Sequence, residues 1–352
     1  MVKFLVTTKL DRLPNTPIVM LDGTVPGWRS TSNDLHYDHH RPGGAKVQIH
    51  EIKQGDAVGN LLLDFPKETT IVTTQVDADA CVAAAYWLMA EKPGGETYRK
   101  LEAIAFDCDY LGVPDRLSDL ADFAAQAVAA LKSQGNTIAI ELNLPPKRDD
   151  WDDLQREAFY SECFKQGTFW LIEACYGDRK FPGEEGEAAQ YWEQVQADIE
   201  MLLSESRIEF IEQVGVAHLE DISRYIDPRA VNAAILRKAE QLNFSISDIS
   251  SITLVGRLRK DKKGTSYTLG TLTQHPCADK LDYSNWQVWA WLTMLERAKN
   301  SDFDAWGGRA VVGGSSWNDP SSLSSQEVVD GVLDWLSVVL KQPRQSVALF
   351  DF

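Results

Sequence analysis

The stretch "TTIVTTQVDADACVAAAYW", residues 69–87, joins a strand pattern to a helix pattern through two aspartates. Its first residues are rich in β-branched side chains, which predicts a buried strand. The segment "DACVAAAYWLMA" predicts a helix, with Asp77 and Asp79 at its N-terminal turn. A strand that ends in acidic residues just before a helix is typical of open α/β sheets, which bind ligands at the carboxyl ends of their strands.

Two other segments before this stretch have strand character. They are "KFLVTTKL" and "PIVML", and the second is followed at once by Asp22. Farther on, "LSDLADFAAQAVAALKSQG" predicts a helix that begins at Ser118 and ends at Gly135. Strands that alternate with helices predict a mostly parallel sheet covered on both faces.

Carboxylates follow several of these apolar runs. Asp38 lies in "DLHYDHHRPGG", residues 34–44, which holds three of the six histidines, and Asp109 follows a third apolar run in "LEAIAFDCDY". If these runs are strands, their carboxyl ends meet at one edge of the sheet. Aspartates with one or two histidines suit Mn²⁺ or Mg²⁺, and two such ions about 3.5–4 Å apart can hold a phosphoryl group.

Each acidic residue also has a simpler interpretation. Asp22 before Gly23 is typical of a turn, and Asp77 and Asp79 are typical of a helix N-terminus. The combination of these residues with Asp-His-His at positions 38–40 favours a site over separate structural roles.

These motifs resemble those of the DHH phosphoesterase superfamily. "YDHHRPGG" resembles its Asp-His-His motif, "VDADACVAA" is similar to its Asp-x-Asp motif, and "PIVMLD" and "CDYLGVP" are similar to its other aspartate elements. The resemblance implies a DHH-like domain with two Mn²⁺ or Mg²⁺ ions and with His39 and His40 taking part in catalysis. The metal ligands that it implies are Asp22, Asp38, His39, Asp77, Asp79 and Asp109.

The chain departs from the family pattern in two ways. In the family the Asp-x-Asp motif comes before Asp-His-His, whereas here it follows it. A site built from strand ends tolerates such a permutation. The family also has a histidine where this chain has Thr73, so either His36 or His50 replaces that ligand or the site holds one metal tightly.

A glycine-rich segment near the C-terminus supports an anion site. "DAWGGRAVVGGSSW", residues 304–317, resembles the loop by which the family's accessory domain contacts substrate. Glycines let backbone N–H groups approach an anion, and an arginine pairs with phosphate in bidentate fashion. The expected substrate-binding residues are Arg41, Gly307, Gly308, Arg309, Gly313 and Gly314. The structural alternative is a hairpin or tight packing against Trp306 and Trp317.

The sequence predicts three parts. Residues 1–145 form the DHH-like metal-binding α/β domain, residues 146–245 a helical connector, and residues 246–352 a smaller α/β domain that contacts substrate. The connector is helical from Trp151 to about Gln213 and again over "DPRAVNAAILRKAEQL"; its acidic residues are interpreted as a solvated face or a docking surface. In the last part, "SITLVGRLR" and "TSYTLGTLT" predict a hairpin with the basic tip "KDKKG", and two amphipathic helices follow.

Charge and cysteine usage narrow the classes of function. The net charge of −17 disfavours binding to nucleic-acid phosphates, so a long nucleic acid is not an expected partner. The five cysteines form no C-x-x-C pair, and no signal peptide or membrane helix is evident. We therefore expect a reduced, cytoplasmic protein without structural disulfides or a thiolate zinc site.

The sequence leads to one preferred function and two alternatives. The preferred function is metal-dependent hydrolysis of a phosphoester or phosphoanhydride in a small soluble substrate. The alternatives are a catalytically inactive DHH-like protein that binds a nucleotide or a protein partner, and an exonuclease acting on short oligonucleotides. The oligomeric state stays open.

Overall fold

The computed structural model describes residues 2–38, 68–89, 95–179, 181, 189–219, 226–259, 264–316 and 319–349. Packing divides the chain into two compact units, Met1–Trp192 and Glu193–Phe352. This border falls inside the segment 146–245 that the sequence interprets as a connector. Among the described residues, no helix has the length and apolar character needed to cross a membrane.

Unit 1 is built on a parallel sheet. Its strands are β1 (Lys3–Val6), β2 (Ile18–Leu21), β3 (Leu35–Tyr37) and β4 (Thr70–Thr73), in the order β1-β4-β2-β3. Every neighbouring pair in this sheet runs parallel. The predicted α/β class and the three strands expected from "KFLVTTKL", "PIVML" and "TTIVTT" are therefore confirmed.

Helices pack against this sheet and against one another. They are α1 (Ala78–Leu88), α2 (Gly95–Tyr110), α3 (Ala121–Glu141) and α4 (Asp153–Tyr176). Helix α4 packs on β1 and α1, while α2 packs on α1 and α3. The approach of α1 to α4 is close because α1 is rich in alanine and because a Cβ at Gly167 of α4 would lie 3.1 Å from Cys81 Sγ.

Helix α3 differs from the prediction at both ends. Ser118 belongs to a short 3₁₀ turn, Asp115–Leu120, and the helix runs through Gly135 to Glu141. Ile138, just beyond the glycine, is buried with Trp151 and Phe159. Burying Ile138 outweighs the cost of about 1 kcal/mol for a glycine inside a helix.

The apolar run before Asp109 is part of helix α2 and not a strand. Leu101, Ile104 and Ala105 are fully buried at helical spacing, so the run has the period of a helix face. The interpretation of Asp109 as a residue at a strand end is therefore wrong. The residue lies in the last turn of α2.

Unit 2 contains a mixed sheet. Its strands are β5 (Ile208–Ile211), β6 (Val214–His218), β7 (Ile252–Leu258), β8 (Thr265–Thr271), β9 (Gly307–Gly308) and β10 (Gly313–Gly314). Their order is β5-β6-β7-β8-β10-β9; β6 and β7 are parallel and the other neighbours antiparallel. The predicted pairing of β7 with β8 is confirmed, and residues 260–263 of its basic tip lie outside the described residues.

Four helices accompany this sheet: α6 (Pro228–Gln241), α7 (Val288–Lys299), α8 (Ser325–Leu340) and α9 (Arg344–Leu349). A further helix, α5 (Ala189–Ser204), begins at the border of the two units. Helices α7 and α8 pack together, and α8 packs on β7. The core of unit 2 includes Tyr283, Leu292 and Phe303.

The predicted helical pattern as far as Gln213 is wrong at its end. Residues 208–218 form the antiparallel pair β5 and β6. Glu212 and Gln213 connect them with φ of 46° and 67°, the left-handed geometry of a two-residue hairpin turn. Gly215 lies where a Cβ would come within 2.6 Å of Ile235, so the hairpin is shaped by its close packing on α6.

Candidate metal centre

Three strands of unit 1 end at one edge of the parallel sheet, and acidic residues follow them. Asp22 directly follows β2 and Asp38 directly follows β3, while Asp77 comes four residues after β4. The backbone N–H of Asp22 donates to the Tyr37 carbonyl at 2.8 Å. This hydrogen bond sets the two acidic strand ends side by side, and both aspartates are buried.

The backbone bends sharply after β2. Asp22 has a φ of 47° and Gly23 a φ of 146°. Any Cβ at Gly23 would lie 2.1 Å from Thr74 Oγ1, which follows β4. Only glycine fits this bend, so the sequence Asp-Gly both turns the chain and keeps the ends of β2 and β4 close together.

The loop after β4 leads into the N-terminus of α1. Asp77 is the N-cap residue, and its Oδ1 accepts a hydrogen bond from the Ala80 N–H at 3.2 Å. Asp79 lies in the first turn and is completely buried. The helix N-terminus favours negative charge here, so both acidic residues also have the structural role that the sequence allowed.

Asp79 is the centre of a cluster of acidic groups. Burial raises its pKa well above the usual value, and the neighbouring charges of Asp109, Asp22, Asp77 and Cys108 raise it further. Like charges in a shared buried pocket repel one another unless a proton or a cation neutralises them. The carboxylates of Asp77 and Asp79 and the thiol of Cys108 therefore form a donor set that fits a divalent cation, and the charges of Asp22 and Asp109 act on Asp79 as well.

Cys108 is a site residue that the sequence analysis missed. Its Sγ lies 3.6 Å from Asp79 Oδ1, and ligand atoms of Asp77, Asp79 and Cys108 all lie within 4.8 Å of one another. Burial, together with Asp77 and Asp109, raises the pKa of its thiol. The cysteine spacing gives no hint of this role, because Cys108 comes from α2 and the aspartates from the start of α1. All five cysteines are free thiols in the structure.

Asp38 forms a second arrangement with Thr24 and His36. The Thr24 hydroxyl donates to Asp38 Oδ2, and its oxygen lies 2.7 Å from His36 Nε2. Since the hydroxyl proton points to Asp38, the His36 Nε2–H is the donor to Thr24. Burial lowers the pKa of His36, while Asp38 opposes this shift. Trp28 packs edge-on against the imidazole, so the ring is held in place.

Thr73 has a structural role at the position where the resemblance expects a histidine. Its hydroxyl donates to the Gln75 carbonyl at 2.9 Å and lies 3.4 Å from the Asp22 carbonyl. These contacts stabilise the bends after β4 and β2. His36 is the histidine that the structure places beside a predicted ligand, Asp38, with 4.0 Å between Nε2 and Oδ2. His39, His40, Arg41 and His50 lie outside the described residues.

The glycine-rich segment of unit 2 is a tight hairpin, the structural alternative that the sequence left open. Gly307 and Gly308 pair with Gly314 and Gly313, and the Arg309 N–H donates to the Val312 carbonyl at 2.7 Å. Trp289 Nε1 donates to the Arg309 carbonyl at 3.2 Å.

Most of these glycines are required by packing. A Cβ at Gly308 would lie 2.4 Å from the Val312 carbonyl oxygen, and a Cβ at Gly314 would lie 2.7 Å from the Tyr267 oxygen. At Gly313 a Cβ would lie 2.6 Å from the Trp289 ring. The close packing explains the glycines without a ligand, and binding of substrate by the hairpin and by Arg309 stays a prediction.

Comparison with known proteins finds similarity only among solved structures. The pGpG-specific phosphodiesterase PggH from Vibrio cholerae is similar over 80% of this chain and 83% of its own, with 8% identity and a TM-score of 0.36. An exopolyphosphatase-related protein from Bacteroides fragilis is similar over 78% of this chain and 61% of its own, with 11% identity and a TM-score of 0.27. CDC45 from Entamoeba histolytica is similar over 95% and 86%, with 8% identity and a TM-score of 0.31.

No protein-family model matches the chain, and no curated protein matches it either. With TM-scores below 0.5, the three structural similarities assign no activity to this chain.

Proposed function

We propose that this protein is a divalent-metal-dependent phosphohydrolase that acts on a small, soluble phosphorylated substrate. One observation carries the proposal: Asp79 is completely buried at the edge where the parallel strands end, with the charges of Asp22, Asp77 and Asp109 around it. A purely structural N-terminal turn has no need for a buried carboxylate whose pKa is raised by three other carboxylates, because each charge raises the cost of the others.

One group of the proposed site residues would bind the metal. The proposed ligands of the ion near Asp79 are Asp22, Asp77, Asp79 and Asp109. Asp38 and His39 are the ligands proposed from the segment that follows β3. A divalent ion bound there supplies activation of water and neutralisation of phosphoryl charge. Thr24 fixes the orientation of Asp38 through its hydrogen bond.

The substrate contacts follow from the resemblance to the DHH superfamily. His39 and His40 adjoin Asp38 in the chain, so they are the candidates for moving a proton to or from the reacting oxygens. Arg41 and Arg309 are the candidates for pairing with the anionic oxygens of the substrate. Mn²⁺ and Mg²⁺ are the ions that the carboxylate-rich set favours.

A second candidate function is a DHH-like protein without catalysis that binds a nucleotide or a protein partner. Thr73 favours it, because a hydroxyl committed to two backbone carbonyls replaces an expected imidazole ligand. The two candidates differ in metal content, since the catalytic protein needs a bound ion and the binding protein does not.

Asp79→Asn tests the proposal because it keeps the shape of the side chain and removes its charge. We expect Mn²⁺ affinity, measured by titration calorimetry on the metal-free protein, to fall about tenfold or more. The metal-free variant should be at least as stable as the wild type, because the substitution removes repulsion within the cluster. Hydrolysis of pyrophosphate and of a dinucleotide in the presence of Mn²⁺ should fall with the metal affinity.

Asp119→Asn is the matched control, because Asp119 is an exposed residue of the same unit that pairs with Arg99 at 2.7 Å. It should leave Mn²⁺ binding unchanged. If Mn²⁺ affinity is the same in the wild type, Asp79→Asn and Asp38→Asn, the metal centre is wrong. A folded wild type that binds no divalent ion favours the non-catalytic protein.

A further inference from the structure

Cys108 holds a distinctive place among the five cysteines. Its S–H donates to Asp79 Oδ1 at 3.6 Å, and its Sγ belongs to a set of three ligand atoms that lie no more than 4.8 Å apart. Cys81, by contrast, donates to the Phe164 carbonyl in the contact between α1 and α4. Among the described residues, Asp77, Asp79 and Cys108 are the group of histidine, cysteine and acidic side chains that meets this spacing.

The spacing suits a single ion. Metal–sulfur bonds to zinc are about 2.3 Å long and metal–oxygen bonds about 2.0–2.2 Å, so ligand atoms on one ion lie less than about 4.5 Å apart after small adjustments. Asp77 and Asp79 are fixed by the first turn of α1, and Cys108 by the last turn of α2. The two helices pack against each other, so the three ligands are positioned before an ion arrives.

The chemistry of sulfur selects among metals. Mg²⁺ and Mn²⁺ prefer oxygen ligands, whereas Zn²⁺, Fe²⁺ and Co²⁺ gain affinity from a thiolate. A thiol directed at a pure oxygen site would gain nothing from the ion and would displace a carboxylate or a water. Without an ion the thiol donates to Asp79 Oδ1, and the same position lets the sulfur bind an ion held by Asp77 and Asp79.

We propose that Cys108 Sγ is a ligand of the ion held by Asp77 and Asp79, and that it shifts the preference of this site towards Zn²⁺, Fe²⁺ and Co²⁺. The inference rests on the proposed function and refines its metal. When the sulfur–metal bond forms, the S–H bond breaks and the proton passes to solvent, so metal binding releases one proton from this residue.

Cobalt provides a test that does not depend on activity. Co²⁺ is titrated into the metal-free full-length protein, and absorption in the near ultraviolet reports a sulfur-to-cobalt charge-transfer band. We expect the band in the wild type and its loss in Cys108→Ser and Cys108→Ala. Calorimetry should show the ratio of Zn²⁺ to Mn²⁺ affinity falling about 10–100-fold in both variants, with Mn²⁺ binding changed much less.

Cys163→Ser is the matched control, because Cys163 is a free, half-buried thiol in α4 of the same unit, packed near Trp151 and Phe159. It should keep the band. The inference is overturned if the band survives in both Cys108 variants, or if wild-type protein binds Co²⁺ without the band; in both cases the proposed function stands as long as Mn²⁺ binds. Wild-type protein that binds neither Co²⁺ nor Mn²⁺ overturns the inference and the proposed metal dependence together.

Discussion

Glu296 and Asp79 are both fully buried carboxylates, but the groups around them differ. Glu296 of α7 accepts hydrogen bonds from the Ser322 N–H at 2.9 Å, the Ser322 hydroxyl at 2.8 Å and the Ser321 hydroxyl. All these donors are neutral, and they fasten the segment before α8. Asp79 is equally buried, and acidic groups and a thiol are among its neighbours. The first arrangement stabilises the fold as it stands, whereas in the second the acidic neighbours and burial raise the pKa of Asp79.

Two glycines of the unit 2 hairpin, Gly307 and Gly313, give a test at the scale of single residues. Gly313→Ala should destabilise the protein by about 1–3 kcal/mol, because the added methyl group would lie 2.5 Å from the Gly307 oxygen and 2.6 Å from the Trp289 ring. Gly307→Ala should have little effect, since among the described residues, its two chain neighbours aside, no atom lies within 4 Å of the position that its methyl group would take. Thermal unfolding of the two variants measures the difference. Equal melting temperatures would show that the hairpin is looser than its packing indicates.

At the scale of elements, local sequence patterns predict those helices and strands that depend mainly on local interactions. Strands β1, β2 and β4 and helix α1 could be predicted because their β-branched runs and apolar spacing match their own burial. The extension of α3 beyond Gly135 depends on contacts of Ile138 with Trp151 and Phe159, which both lie outside this helix. The hairpin of β5 and β6 depends likewise on packing against α6. Such tertiary contacts override the local pattern.

The candidate site follows the same division. Asp22, Asp77 and Asp79 could be predicted because each directly follows a strand or begins a helix. Asp109 was predicted to follow a strand, but it lies in the last turn of helix α2. Its charge still acts on Asp79, because this turn comes to the start of α1. Cys108 could not be predicted, because a cysteine beside apolar helix residues is typical of a core position.

Helix α8 provides a test at the element scale through its capping box. Glu327 accepts hydrogen bonds from Lys299 Nζ at 2.6 Å and from the Ser324 N–H at 2.8 Å, and these lower its pKa from 4.5 to about 2. A carboxylate with a lowered pKa stabilises the fold above its unfolded pKa, and this stabilisation is lost as the pH falls towards the folded pKa. Glu327→Gln keeps the cap and removes the charge.

We expect Glu327→Gln to be less stable than the wild type at pH 7 by about 1 kcal/mol or less, because the pair is exposed and screened by water. The difference should shrink as the pH falls from 4.5 to about 2. Urea unfolding at several pH values measures it. Glu240→Gln, an exposed change in α6 of the same unit, is the control for the substitution itself. A difference that stays constant with pH would mean that the charge of Glu327 contributes nothing to stability.

At the scale of the whole molecule, each unit has its own hydrophobic core and its own kind of sheet. The parallel sheet of unit 1 brings strand ends together at one edge, which is where the acidic residues lie. The mixed sheet of unit 2 instead has a glycine strand, β9, at one edge, next to the glycine strand β10. The residues of the candidate metal centre that the structure describes therefore all belong to unit 1.

The net charge of −17 favours a small anionic substrate over a long nucleic acid. A long single strand carries many phosphates, and an acidic protein repels them over most of its surface, whereas a small anion interacts mainly with the metal and a few cationic groups. Fluorescence anisotropy with a long labelled single strand at physiological salt should therefore show binding weaker than about 10⁻⁴ M, the weak end of non-specific binding. The same protein, loaded with Mn²⁺, should hydrolyse pyrophosphate or a dinucleotide, which serves as the control for a folded active site. Tight binding of the long strand that weakens steeply with added salt would instead favour the exonuclease, because that salt dependence reports contacts to many phosphates at once.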